Sequence, residues 1–502
     1  MATVFTDERL APAVSAFVSS GPKELLVGGE WVESASGKTF PTVDPATGET
    51  ICEVYEAGDE DVDRAVRAAR TALEGAWGSM TPAARGRCLL TLADLIEEHG
   101  EELAQLETLD NGKPLTESQY VDVPLVSEIY RYYGGATTKI HGNTLPVSPS
   151  VGRYFAYTLR QPVGVVGAIV PWNFPMLITS WKLGPALACG NTVVLKPAEE
   201  TPLTALRFGE LVEEAGFPEG VVNVVCGDGP GTGAPLAEHL GVDKISFTGS
   251  FETGRKIVEA SKGNLKRLTL ELGGKSPNIV FADSDLDAAV QGALLGIFLN
   301  QGEVCCAGSR LYIEASVYDD VLGRVVERAG EIALGHGLDD DTEMGPLVSE
   351  EQLARVLGYV ETGVDEGATI VAGGRRPDDE RLRGYFLQPT VFADVRDDMR
   401  IATEEIFGPV LSVMPFDNEE SLVGRANSTL YGLAAGIWTE NLKRAHRLAE
   451  ALKAGTVWIN GYNMVDPSAP FGGFKMSGYG RELGMDAIHD YTQVKSVWVN
   501  LD

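Results

Sequence analysis

The sequence predicts an α/β fold with two parallel-sheet domains, and two observations carry that reading. From about residue 163 to 272, short and almost continuously apolar runs alternate with longer amphipathic ones, and the alternation resumes from about 278 to 475. Strands buried on both faces read as unbroken apolar stretches, and the helices between them supply the covering layers. At 502 residues the chain also exceeds what one hydrophobic core organises, so two or three domains are expected.

In the first block the strand candidates are 163–170 (VGVVGAIV, stopped by Pro171), 192–195, 221–225 and 244–247. The stretches PLTALRFGELVEEAG, GAPLAEHL and ETGRKIVEASKG follow the second, third and fourth as helices. The second block opens with NIVFA at 278–282 and continues through the helix DLDAAVQGALLGIFLN and the strand RLYIE. RYFAYTLR (153–160) and KSVWVNL (495–501) alternate as strands outside both blocks. Exposed alternating strands with aromatic faces suit intersubunit edges, or else extra strands within one subunit.

Composition narrows the function classes. The chain is 44% hydrophobic and 23% charged, which is ordinary globular composition. A net charge of −31 without a Lys/Arg-dense stretch repels phosphate, so no nucleic-acid partner is expected. Apolar runs such as VGVVGAIVPW are too short for a bilayer, so no membrane partner is expected either. The N-terminal MATVFTDERLAPAV lacks a basic region followed by an apolar one, and no secretory signal is read. The six cysteines form no C-x-x-C pair and no disulfide framework, so no metal site and a reducing, cytoplasmic setting are expected.

Four stretches could carry chemistry. FLNQGEVCCAGSR (298–310) sets Cys305 and Cys306 side by side at a helix-to-loop junction. In an extended segment neighbours point oppositely, so only one would face a given cleft; two small buried hydrophobes are the plainer alternative. LTLELGGKSPNIV (268–280) holds Glu271 as the sole acid of an apolar and glycine run, which suits a general base of raised pKa or a carboxylate capping nearby backbone. VPWNFP (170–175) follows a buried strand, and its prolines stiffen a turn in which Asn173 offers an amide N–H donor or merely shapes the turn. ISFTGSFETG (245–254) runs from strand through turn to helix, with Ser250 near the N-cap and a G-x-x-x-x-G spacing from Gly249 to Gly254. A G-x-G-x-x-A pattern at 229–234 is a weak dinucleotide signal, because glycine-rich turns are common there.

The ordered set is far more specific than its members. PWNFP, LKPAEETP, FTGSFETG, LELGGKSP, QGEVCCAGSR, EEIFGPV and PFGGFKMSGYGRELG follow one another across roughly residues 25 to 500. In this the chain resembles the NAD(P)-dependent aldehyde dehydrogenase superfamily, specifically its tetrameric, hydrolytic class. The resemblance implies a Rossmann-like cofactor domain (1–142 and 162–272), a second α/β catalytic domain (273–482) and a β-hairpin/tail oligomerisation element (143–161 and 483–502). It makes Cys305 the nucleophile and Cys306 a dispensable neighbour, with Asn173 the oxyanion-hole asparagine and Glu271 the general base. Relatives that pass the acyl group to coenzyme A lack this glutamate, so water is the implied acceptor. Lys182 and Glu482 resemble a pair assigned to proton relay, although GRELG also reads as structural.

The same resemblance implies the cofactor contacts. Lys196 and Glu199 hold the adenosine ribose, Gly249 and Ser250 lie beneath the pyrophosphate, and Trp172 and Leu272 line the groove. Gly229 and Pro230 flank the adenine, while Glu405 and Phe407 hold the nicotinamide ribose and ring. Glu199 would repel a 2′-phosphate, so NAD is expected and NADP is disfavoured, although dual-specific relatives rotate such a glutamate aside. The implied tunnel comprises Phe174, Leu177, Ile178, Trp181, Leu299, Val465 and Phe471, each of which also suits core packing. Aliphatic Leu299 and Val465 widen it toward medium-chain or arylalkyl aldehydes such as phenylacetaldehyde. A betaine-aldehyde or aminoaldehyde enzyme is the alternative, with Trp181 and Tyr462 offered to a cation. A homotetramer, as a dimer of dimers, or a homodimer is implied.

A cysteine hydrolase would need a histidine beside Cys305, and His99, His141, His239, His336, His446 and His489 lie in none of these motifs. A catalytically silent protein on the same fold would be expected to lose Cys305, Glu271 or Asn173.

Overall fold

The computed structural model describes residues 5–502; residues 1–4, part of the expected 1–142 span, lie outside the described residues. The first block forms a sheet whose parallel core runs, in spatial order, Arg267–Glu271, Lys244–Thr248, Val165–Ile169, Thr192–Lys196 and Val222–Val224. In chain order that is 5-4-1-2-3, the order of five of the six strands of the doubly wound Rossmann sheet. Its switch point lies between Val165–Ile169 and Lys244–Thr248, whose carboxyl ends lead into PWNFP and TGS. Antiparallel strands close both edges: Leu25–Val27 and Glu30–Val32 on one side, Gly478–Tyr479 on the other.

The second sheet has the order Thr369–Ala372, Thr390–Ala393, Val410–Phe416, Arg310–Glu314, Pro277–Val280, Ala434–Trp438, Thr456–Ile459, parallel except at its first pair. Neighbouring residues along a strand enter different cores. Val280, Leu311 and Val391 pack into the large cluster shared with the first domain, whereas Ile279, Tyr312 and Phe392 pack into a second cluster on the outer face. The pleat sends successive side chains to opposite faces, so a strand covered on both sides must be apolar throughout. Each such aliphatic side chain contributes about 1.5–3 kcal/mol on burial.

The two outlying segments meet each other. Tyr154–Pro162 pairs antiparallel with Thr492–Asn500 along nine residues, and Thr144–Leu145 completes a three-stranded sheet. No helix among the described residues is long and apolar enough to cross a membrane.

Candidate active site

A cleft of about 740 Å³ opens at the carboxyl ends of the first sheet, facing the second domain. The turn after Val165–Ile169 supplies Pro171, Trp172 and Asn173, and the helix Pro175–Ala188 adds Ile178. Lys244–Thr248 ends in Thr248, Gly249 and Ser250, and Arg267–Glu271 leads to Leu272 and Gly273. The second domain contributes Cys305, Gln352, Arg355, Glu405 and Phe407.

The glycines in these turns answer to close approaches. A Cβ on Gly249 would lie 2.5 Å from the Phe247 ring, and one on Gly254 would lie 2.9 Å from Leu272. In LELGG, a Cβ on Gly273 would strike the Glu405 carboxylate at 1.9 Å, and one on Gly274 the Cys305 carbonyl at 2.4 Å. The glycine pair therefore lets both second-domain groups reach the first sheet. Glu405 uses the gap to accept the Gly274 N–H at 3.0 Å, and burial pushes its carboxyl up to about 7.

Cys305 lies in a turn rather than in the extended segment the sequence suggests. The two thiols still diverge: Cys305 lines the cleft, while Cys306 is buried with Sγ 3.5 Å from Asn463 Oδ1. The preceding helix ends at Phe298, and Asn300 and Gln301 then adopt left-handed backbone at φ 46° and 54°. A hydrogen bond with Cys306, then burial and nearby carboxylates, raise the Cys305 thiol well above its ordinary range. Asn173 is buried, and its Nδ2 donates to the Glu303 carbonyl at 2.7 Å. One amide hydrogen remains for a ligand.

Glu271 ends its strand, in register with Thr248 on one side and Gly478 on the other. Its two carboxylate oxygens are buried without a well-formed protein hydrogen bond, and burial followed by the Glu482 charge raises it well above the carboxylate range, with the Gly473 N–H among the groups opposing the rise. Behind it, Lys182 Nζ donates to Glu482 Oε1 at 2.7 Å, both side chains being buried, so the expected pair is formed.

Ser250 Oγ caps the helix Phe251–Ser261 by accepting from Thr253 N at 3.1 Å. Lys196 Nζ donates to Glu199 Oε2 at 3.1 Å, and Glu199 borders an adjoining hollow of about 710 Å³ that also reaches Asp228. Gly229–Gly233 forms a turn capped by Asp228. Trp172 and Phe407 meet edge to face at 5.2 Å, with Phe407 held at a left-handed φ of 63°. Gln352 donates to the Phe407 carbonyl and Arg355 to that of Glu405. Gln352 and Arg355 escape the sequence reading, because EEQLARVLG shows only an amphipathic helix start. Of the expected tunnel residues, Ile178 lines the cleft, Trp181 and Phe471 pack edge to face at 5.1 Å, and Phe174 lies over Lys113. Leu177 is buried, and Leu299 and Val465 are half-buried outside the cleft lining.

These parts fit a dinucleotide. The switch-point cleft, the capped helix N-terminus at Ser250 and a carboxylate–lysine pair at the end of Thr192–Lys196 match its phosphates and ribose hydroxyls. With a thiol in the same cleft, the arrangement is that of a thiol-dependent dinucleotide oxidoreductase. The aldehyde dehydrogenase family model matches residues 31–497, and the chain belongs to the aldehyde dehydrogenase family. It is 56% identical over 483 residues to a putative aldehyde dehydrogenase, DhaS, of Bacillus subtilis, covering 96% of each chain. It is 53% identical to the human mitochondrial aldehyde dehydrogenase, covering 95% of this chain and 92% of that one. The NAD+ complex of an aldehyde dehydrogenase from Bacillus cereus superposes with a TM-score of 0.96 at 53% identity, covering 98% and 99%. The protein is an NAD-dependent enzyme that oxidises aldehydes.

Proposed function

We propose that the enzyme oxidises medium-chain aliphatic or arylalkyl aldehydes, phenylacetaldehyde among them, to carboxylic acids through a thioester on Cys305. The observation that carries the chemistry is that Cys305 and Asn173 line one cleft, while the buried Glu271 carboxylate, at the end of the adjoining strand, is near enough for its charge to act on the Cys305 thiol. Cys305 releases its thiol proton to solvent water and attacks the aldehyde carbon as thiolate, and the free Asn173 amide hydrogen receives the oxyanion of the thiohemiacetal. One such donor is typically worth about 10²–10³ in rate. NAD, when bound, supplies the hydride acceptor. Collapse of the oxyanion expels hydride and leaves a thioester. Glu271, buried and raised in pKa, then takes a proton from water as that water attacks the thioester and releases the acid. Lys182 and Glu482 stand behind it as the path by which that proton leaves.

Lys196 and Glu199 hold the adenosine ribose in this reading, with Gly229 and Pro230 beside the adenine. Ser250 lies under the pyrophosphate with Gly249, while Trp172, Leu272, Glu405 and Phe407 enclose the nicotinamide end. Support for this substrate class comes from the apolar character of Ile178 in the cleft and of Phe174, Leu177, Trp181, Leu299, Val465 and Phe471 as the implied tunnel. Two observations weigh against a cationic aldehyde. The Phe174 ring already carries the Lys113 ammonium 4.2 Å from its centroid, and Tyr462 is buried with its hydroxyl donating to the Cys306 carbonyl at 2.8 Å. Of the two rings offered to a cation, Tyr462 is buried and Trp181 is buried against Phe471, which leaves little aromatic surface for a quaternary ammonium. We assign the three-stranded edge sheet to contact with a second copy, since Phe155, Leu159, Val494 and Trp498 are exposed on it.

The test is NAD reduction by wild type and Cys305→Ala with hexanal, phenylacetaldehyde, acetaldehyde and betaine aldehyde. Wild type is expected to rank hexanal and phenylacetaldehyde first, and the variant to be silent. Activity in Cys305→Ala would remove the thioester route; a preference for betaine aldehyde would replace the substrate class.

A further inference from the structure

A buried polar cluster lies beneath the turn that carries Asn173, and the steps above do not use it. It comes from the end of the helix Gly100–Asn111 and the turns that follow. Glu107, Asn111, Lys113 and Asp122 are all buried, with Lys113 Nζ donating to Asp122 Oδ2 at 2.8 Å and lying 3.6 Å from Glu107 Oε1. Burying such charges is an inefficient way to stabilise a core, so the cluster needs another explanation.

That explanation lies in the turn above it. Pro171 and Pro175 bracket Trp172–Phe174 and offer no N–H groups, and among the described residues no backbone hydrogen bond to another carbonyl is donated by Trp172, Asn173 or Phe174. The carbonyls of the turn are met from outside. Asn111 Nδ2 donates to the Trp172 carbonyl at 2.9 Å, and Asn300 Nδ2 donates to the Asn173 carbonyl at 2.7 Å. Asn300 is itself fixed, because its backbone N–H donates to both Glu117 carboxylate oxygens at 3.2 and 3.0 Å. Glu107 accepts from Met176 N at 3.4 and 3.3 Å, meeting an orphan N–H in the first turn of the helix that follows. Lys113 joins the two ends: it pairs with Glu107 and lies under Phe174.

We propose that Asn111 and the Glu117–Asn300 pair are positioning residues that aim the free amide hydrogen of Asn173 at the oxyanion. This rests on the oxyanion role assigned to Asn173 above. Asn173 has one hydrogen already committed to Glu303, so the direction of the other is set by where the backbone is held. Displacing a catalytic group by about 1 Å costs on the order of a hundredfold.

The experiment is a double-mutant cycle with Asn111→Ala and Asn173→Ala in the full-length enzyme, reading the pre-steady-state burst of NADH with hexanal. Asn173→Ala is expected to slow the burst about 10²–10³-fold. Asn111→Ala is expected to slow it on the order of tenfold to a hundredfold, with KM for NAD unchanged. The double variant is expected to match Asn173→Ala to within about twofold. Additive losses, or a wild-type burst in Asn111→Ala, would overturn the positioning role alone. A wild-type burst in Asn173→Ala would overturn the oxyanion reading itself. Should Asn111→Ala not fold, Glu117→Ala and Glu117→Gln decide the matter. Glutamine keeps an oxygen for Asn300 N, so it is expected to recover most of the rate lost in the alanine variant; equal rates in both would sink the proposal.

Discussion

Two buried ionic clusters flank the cleft, and they are wired differently. Under the Asn173 turn, Glu107 and Asn111 end on backbone groups of the PWNFP region, and Glu117 reaches it through Asn300. Behind Glu271, the cluster is made of side chains alone. Lys182 Nζ meets Glu482 Oε1, Ser246 Oγ lies 3.4 Å from that same oxygen, Thr269 Oγ1 lies 3.1 Å from Ser246 Oγ, and Lys244 Nζ lies 3.0 Å from Thr269. Backbone contacts fix geometry. A run of hydroxyls between two lysines and a carboxylate instead offers movable hydrogens and a field. Burial lowers Lys244 to about 7, and Glu482 Oε2 has no protein partner. One cluster holds the site, and the other sets its charge.

The largest effect expected to sharpen this contrast is at Glu271, which faces the second cluster. Glu271→Gln should lower steady-state turnover by about 10²–10⁴ while a burst of one NADH per site survives, because only thioester hydrolysis needs the base. The sign of the pH dependence follows from its raised pKa. Below that pKa the carboxyl is neutral and cannot accept the proton of water, so wild-type hydrolysis rises with pH. Hydrolysis in the glutamine variant should not follow that titration. Loss of the burst together with turnover would mean that Glu271 serves acylation instead.

A smaller and more discriminating pair is Lys113→Met against Lys182→Met. Each removes one partner of a buried ion pair, so each should lose on the order of 3–5 kcal/mol of stability in thermal or denaturant melts. Their kinetics should separate. Lys113→Met loosens Phe174 and the first turn after it, so the burst slows. Lys182→Met leaves the burst intact and shifts the pH profile of hydrolysis, since the Lys182 charge opposes the rise in the Glu271 pKa. If both variants slowed the same step, the division between a holding cluster and a tuning cluster would fail.

The sequence exposes these regions unequally, for a physical reason. Glu271, Cys305, Asn173 and Ser250 sit at strand ends or in turns where glycine and proline mark the chain, so their setting is local. The contacts of Asn111 with Trp172 and of Asn300 with Asn173 span 61 and 127 residues. A buried Asn in DNGKP carries no local mark of its target. Gly478–Tyr479 is equally silent, since two residues show no period, yet this strand lines up beside Glu271. Gln352 and Arg355 enter the cleft only because their helix packs across the interface. The runs at 163–170, 192–195, 221–225, 244–247 and 278–282 lie within one or two residues of the strands that form there, because continuous apolar runs admit few other placements, whereas the alternating tail run at 495–501 begins three residues after its strand does.

The smallest effect belongs to Glu199, outside both clusters. Its side chain is 41% exposed and already paired with Lys196 at 3.1 Å, so its field is screened by solvent and offset by the lysine. An exposed pair of this kind is worth roughly 0–1 kcal/mol, which corresponds to at most about fivefold in a ratio of specificity constants. In Glu199→Gln the carboxylate no longer repels a 2′-phosphate, and Lys196 is left free to meet one. The ribose hydroxyls of NAD lose a charged acceptor at the same time. Both changes act in the same direction, so kcat/KM for NAD over that for NADP should fall severalfold, with the burst and the pH profile of hydrolysis as in wild type. An unchanged ratio would remove Glu199 from cofactor choice. A collapse of turnover with both cofactors would mean instead that the Lys196–Glu199 pair supports the end of the Thr192–Lys196 strand, a structural role like that of the cluster beneath Asn173.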